Sequence, residues 1–189
     1  MSPPALKLSA QTRVHLVGIA GTGLSAIARV LLERGIPVSG SDRALNTVTT
    51  QLEAMGATIY AGHRAEHIDG AALVLVTSAA KDDNPEISAA RAAGIPVLKR
   101  RDFLPLLLAD DKVIAIAGTH GKTTTTAMVA HTLREIGVNP GYIVGSVMEN
   151  SGTNASGGSP NAPFAIEADE YDDMYLGLTP KIAVLTSVE

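Results

Sequence analysis

The sequence predicts an α/β protein built from two successive parallel-sheet units. Three observations carry this. Short apolar runs alternate with segments of helical periodicity along most of the chain. Two of those runs, residues 14–18 and 113–117, pass into a glycine turn and then a helix. A polar break, Ala109-Asp110-Asp111-Lys112, separates one series from the other.

Residues 1–12 read as a disordered lead-in, 13–110 as a first, Rossmann-like unit, and 111–189 as the start of a P-loop unit that is incomplete. In the first unit, strands are expected at 14–18, 37–41, 57–60, 73–77 and 95–98. The helices between them span 24–34, 46–55 and 85–93, and a short one at 101–108 closes the unit. Asn84 is placed to cap the helix at 85. In the second unit, strand 113–117 leads to a helix over 122–136, and further strands follow at 142–145, 164–167 and 182–186. The last two read as buried. The stretch Asn150–Asn161, NSGTNASGGSPN, is too polar to pack and reads as a loop.

The second unit carries the sharpest motif. VIAIAGTHGKTTTT runs from Val113 to Thr126. A buried strand, a glycine turn and a helix N-terminus make a cradle for phosphate. Gly118, Thr119, His120, Gly121, Lys122, Thr123 and Thr124 are the candidate ATP-binding residues. Lys122 is suited to the β- and γ-phosphates, and Thr123 to Mg²⁺. The first glycine of the usual P-loop spacing falls on Ile116, and Gly118 replaces it two residues later. The loop is therefore a shortened form. Downstream, Glu167-Ala-Asp169-Glu170-Tyr-Asp172-Asp173 follows an apolar run. Carboxylates at a strand end beside a P-loop suit Mg²⁺, and Glu167, last in its run, is the best-held candidate.

The first glycine loop, Gly18-Ile-Ala-Gly21-Thr22-Gly23, resembles the second in its Ile-Ala-Gly-Thr core, but Ser25 lies where the second has Lys122. It can hold a diphosphate and has no lysine to stabilise a transferring phosphoryl group. The pair suggests one site for a nucleotide-linked substrate and another that cleaves ATP. A rival reading stays open. Gly21-x-Gly23-x-x-Ala26 with Asp42 at a strand end also fits a dinucleotide fold.

Composition narrows the classes. Hydrophobic residues make up 46% and aromatics 3%, with no Trp, so the core is aliphatic. The absence of Cys excludes disulfides and thiolate chemistry. No apolar run nears the roughly 18–20 residues that span a bilayer, and the start lacks a signal-peptide core. A cytoplasmic protein is expected. A net charge of −4 offers no footprint for nucleic acid. Among the remaining polar residues, His15 reads as structural and His131 as a helix-surface residue. His63 and His67 share a helical spacing without a ligand set to complete a metal site, and Lys99-Arg100-Arg101 reads as a solvated linker rather than a phosphate clamp.

Assembled in order, GIAGTGLSAIA (18–28), GSD (40–42), TSAAKDDNPEI (77–87), AGTHGKTTTT (117–126) and EADEYD (167–172) resemble the Mur ligase family of peptidoglycan synthesis. The shortened P-loop is that family's own form. The resemblance implies ATP- and Mg²⁺-dependent joining of L-alanine to the carboxylate of UDP-N-acetylmuramate through an acyl phosphate. It implies that Gly21, Thr22 and Gly23 hold the UDP diphosphate, with Ser25 in the same loop, Ser78 near it and Asp42 near the nucleoside. Lys122 and Glu167 would be catalytic, with Thr123 and Glu167 on metal, and Asn154 would approach the muramyl sugar. Family members continue past Glu189 into an Asp-His motif and a further domain for the amino acid. The chain is thus expected to be a fragment, inactive alone. Two alternatives accompany this reading: a ligase that reattaches recycled peptide to UDP-N-acetylmuramate, and an NAD(P)-binding module fused to an NTPase.

Overall fold

A computed structural model describes residues 7–188, apart from the side chains of residues 171 and 172. The first sheet is five-stranded and wholly parallel, in the order β3-β2-β1-β4-β5. Its strands are β1 (Val14–Val17), β2 (Val38–Asp42), β3 (Thr58–Ala61), β4 (Leu73–Val76) and β5 (Val97–Lys99). β1 and β4 are buried along their whole length, as strands covered on both faces must be. Helices α1 (Thr22–Glu33), α2 (Thr47–Ala54), α3 (Pro85–Ala92) and α4 (Arg100–Leu107) complete this half. The Asn84 side chain accepts from the amides of Glu86 and Ile87, so the expected cap is present, with Pro85 opening the helix.

The strand order reverses between β1 and β4. That switch point opens a crevice beyond the strands' C-terminal ends, where open α/β sheets bind ligands. The second sheet has the order β10-β6-β9-β7-β8. Its strands are β6 (Lys112–Ala117), β7 (Gly141–Met148), β8 (Thr153–Ser156), β9 (Pro163–Glu167) and β10 (Ile182–Leu185), and α5 (Lys122–Glu135) follows β6. β9 lies beside β6 with Glu167 paired to Ile116, so its carboxylate arrives next to the glycine loop.

Several expectations need correction. The polar stretch 150–161 is not all loop: Thr153–Ser156 forms β8, antiparallel to β7. Its polar residues tolerate this because β8 is an edge strand resting on the end of α1. There Glu33 accepts from Gly157 N–H at 2.7 Å and from Ser156 Oγ at 3.0 Å. β10 is formed but not buried, with Ile182 55% and Leu185 65% exposed, because it is the outer strand of its sheet. Of the expected lead-in, residues 1–6 lie outside the described residues. Residues 7–12 are placed: Leu8 packs on the core, and the Thr12 hydroxyl donates to the Lys7 carbonyl at 3.1 Å.

One apolar cluster crosses the polar break. It joins Leu16, Ile27 and Leu31 on the first side to Val113, Phe164 and Ile166 on the second. Arg34 fastens the same junction. Its guanidinium donates to the Leu107 and Gly157 carbonyls, pairs with Asp111 at 2.9 Å, and lies 5.2 Å above the Phe164 ring. Among the described residues, no helix is long and apolar enough to cross a membrane.

Candidate functional site

The loop after β6 turns through two glycines in the left-handed region, Gly118 at φ 136° and Gly121 at φ 84°. A side chain at Gly118 would also strike Thr186 Oγ1 and the Ser187 amide. The left-handed φ favours glycine at both positions, and the close contacts add a second reason at Gly118. Lys122 begins α5. Its Nζ donates to the Gly118 carbonyl at 2.8 Å, folding the side chain back across the loop, and pairs with Glu170 Oε2 at 3.1 Å. The Glu170 carboxyl is held below its usual range by its own backbone amide and by Lys122. Two loop amides are engaged with the segment after β10. Thr119 N–H donates to the Ser187 carbonyl at 3.2 Å and His120 N–H to Ser187 Oγ at 3.0 Å. Thr124 is exposed on the first turn of α5.

Glu167 is 8% exposed. Oε1 accepts the Gly145 amide at 2.5 Å, and Oε2 accepts the Thr123 hydroxyl at 3.1 Å. A carboxylate and a P-loop hydroxyl thus share one point, offering hard oxygen donors. Two protein oxygens do not make a complete cage. They suit Mg²⁺, which keeps water and takes phosphate oxygens for the rest.

The first glycine loop forms a saddle between two cavities. On one side, a crevice of about 430 Å³ is lined by Gly18, Gly21, Asp42, His63, Thr77 and Asn84. On the other, a cavity of about 190 Å³ between the sheets is lined by Thr22, Gly23, Arg100, Asn154, Glu167 and Asp169 among others. The sequence-predicted residues therefore divide. Gly21 and Asp42 face the first cavity, and Ser78 sits between its lining residues Thr77 and Ala79. Thr22, Gly23, Asn154 and Glu167 face the second. Asp42 also holds the saddle, its Oδ2 accepting the Ala20 amide at 3.0 Å. Ser25 is the exception. It is buried, its hydroxyl donates to the Thr22 carbonyl at 3.1 Å, and it lines neither cavity.

Two features escaped the sequence. His15, His63 and His67 converge on one carboxylate, Glu86, which is fully buried. His63 Nδ1 stands 3.0 Å from Oε2 and His67 Nδ1 2.8 Å from Oε1, while the Ser41 hydroxyl donates to Oε2 at 2.6 Å. Burial alone would push this carboxyl up. His15, whose Nε2 stands 3.6 Å from Oε1, together with the hydrogen bonds to Ser41 and His67, overrides it and holds the carboxyl at about 2. The only hint in the chain was the His63/His67 spacing. The second feature is Arg100. It lies in the cavity between the sheets instead of in a solvated linker.

Fold and site define an α/β protein with a P-loop and a second cleft at a Rossmann-type switch point. The chain belongs to the Mur ligase family, whose catalytic-domain description matches residues 13–112. It is 51% identical over 93% of its length to a UDP-N-acetylmuramate–L-alanine ligase of Roseiflexus sp. strain RS-1, and 46% identical over 94% to the corresponding ligase of Thermobifida fusca. In both comparisons it spans 37% of the relative's length. Among solved structures, the UDP-N-acetylmuramate-alanine ligase of Thermotoga maritima superposes with a TM-score of 0.82 at 35% identity, covering 93% of this chain and 41% of that one. The UDP-N-acetylmuramate:L-alanyl-γ-D-glutamyl-meso-diaminopimelate ligase of Neisseria meningitides gives 0.84 at 33% identity, covering 94% and 61%.

Proposed function

We propose that this chain carries the nucleotide-binding portion of a cytoplasmic, ATP-dependent ligase that joins L-alanine to UDP-N-acetylmuramate in peptidoglycan synthesis. The observation that carries the reading is the cavity between the sheets. One wall is the first glycine loop, at Thr22 and Gly23, and the other is Glu167 beside the P-loop. A nucleotide-sugar lying over the first loop, with its uridine in the larger crevice, would point its carboxylate at the γ-phosphate of ATP held by the second loop. Residues 13–110 would then bind the UDP-sugar and residues 111–189 the ATP.

In this reading the substrate carboxylate attacks the γ-phosphorus, the bond to the β-phosphate oxygen breaks, and ADP leaves an acyl phosphate. The amine of L-alanine then displaces phosphate from the acyl carbon. Lys122, released from the Gly118 carbonyl and Glu170, would donate to the β- and γ-phosphates. Positioning and charge stabilisation account for the rate of such transfers. Thr123 and Glu167 would hold Mg²⁺, which neutralises charge building on the phosphate oxygens. The Gly145 amide fixes the Glu167 carboxylate for that task.

The likeness to the Neisseria meningitides ligase keeps a second reading, reattachment of peptide to UDP-N-acetylmuramate. It differs in the amine substrate and makes the same demands on both loops. A calorimetric titration of the chain with UDP-N-acetylmuramate and with NADH tests the shared core. Binding of the UDP-sugar is expected; tight binding of NADH without it would refute the proposal.

A further inference from the structure

Arg100 opens α4 directly after β5, the edge strand beside β4. Its side chain is half-buried and reaches back over the first turn of α1. Nη1 lies 2.5 Å from the point that a Cβ on Gly23 would occupy, and Cζ lies 3.4 Å from it. The guanidinium therefore rests where any side chain at position 23 would stand. The missing Cβ makes room for a cation.

The cation occupies a particular place. The saddle formed by the first loop separates the larger crevice from the cavity between the sheets, and Gly23 is on the latter side. Among the described residues lining that cavity, Arg100 is the only basic one, and Glu167 and Asp169 face the same space. An anionic acceptor entering there meets two carboxylates and needs a positive group to offset them.

We propose that Arg100 binds the sugar-side phosphate of a nucleoside diphosphate-linked substrate as it crosses from the first loop into the cavity. The assignment rests on the reading of the first loop given above. The planar fork matches two phosphate oxygens at once, which a lysine cannot do. The nucleoside-side phosphate stays with the loop amides, so Arg100 distinguishes a diphosphate from a monophosphate.

The test is calorimetric titration of the chain and its Arg100→Ala variant with UMP, UDP and UDP-N-acetylmuramate. The variant is expected to bind UDP and UDP-N-acetylmuramate about ten- to a hundredfold more weakly. Its affinity for UMP should stay within about twofold. Arg100→Lys should fall between wild type and Arg100→Ala for the two diphosphates. Should the alanine variant melt early, Arg100→Gln, which keeps the side-chain length, replaces it. Unchanged UDP affinity, or equal weakening for all three ligands, overturns the proposal. Weakening confined to UDP-N-acetylmuramate also overturns it, since the arginine would then serve the sugar acid. If folded wild type binds no uridine nucleotide, the first-loop reading itself falls, which is a different failure from loss in the variant alone.

Discussion

Replacing Glu86 by Gln is the most informative perturbation of the fold. The side chain is fully buried between β1, β2, the 3₁₀ turn Ala65–Ile68 and α3, and Gln keeps its shape while removing its charge. A carboxyl held at about 2 in place of 4.5 makes the ionised form worth about 3 kcal/mol to the folded state. The sign follows from the direction of the shift. A folded-state value below the unfolded one stabilises above pH 4.5, and that stability is lost as pH falls towards 2. Gln resembles the protonated acid at every pH. Urea denaturation of the two proteins should therefore give a gap of about 3 kcal/mol at pH 7, shrinking to about 1 kcal/mol at pH 3. A gap that stays constant would refute the reasoning. A gap that widens on acidification would assign the effect to positive charge left on His15, His63 and His67 rather than to ionised Glu86.

Three further outcomes follow from the contacts. Arg34→Ala leaves Asp111 and the Gly157 carbonyl without their partner at the junction of the sheets, and should cost about 2–3 kcal/mol in urea denaturation. Arg34→Lys should recover less than half of that, because a single ammonium cannot reach Leu107, Asp111 and Gly157 together. Gly145→Ala would set a Cβ 3.1 Å from both Glu167 Oε1 and Thr123 Oγ1. It should weaken Mg²⁺-ATP binding about tenfold in a calorimetric titration while uridine nucleotide binding holds. Loss of both affinities would mean a general defect instead.

Local chemistry was legible in the chain. The strand–glycine–helix units, the shortened P-loop and the position of Glu167 at a strand end each depend on neighbours a few residues away. The period of apolar residues, the turn glycines and the caps encode them. Asn84 capped α3 as its place before Pro85 implied. Two of the corrected expectations share one cause. Thr153–Ser156 became a strand, and Ile182–Leu185 an exposed one, because sheet position decides whether a polar run can pair and an apolar run is covered.

Long-range convergence was not legible. Glu86 meets His15, His63 and His67 because β1 lies between β2 and β4, an order that no local pattern contains. Arg100 looked like one member of a basic run until the packing of α4 laid it on Gly23. Ser25 stood in the right place in the sequence, yet helix geometry turned its hydroxyl onto Thr22. By itself the sequence determined which segments make strand–glycine–helix turns, since backbone conformation follows from nearby residues. Only the tertiary structure decided which side chains face those turns, because direction and partner depend on strand order and on how helices seat against the sheets.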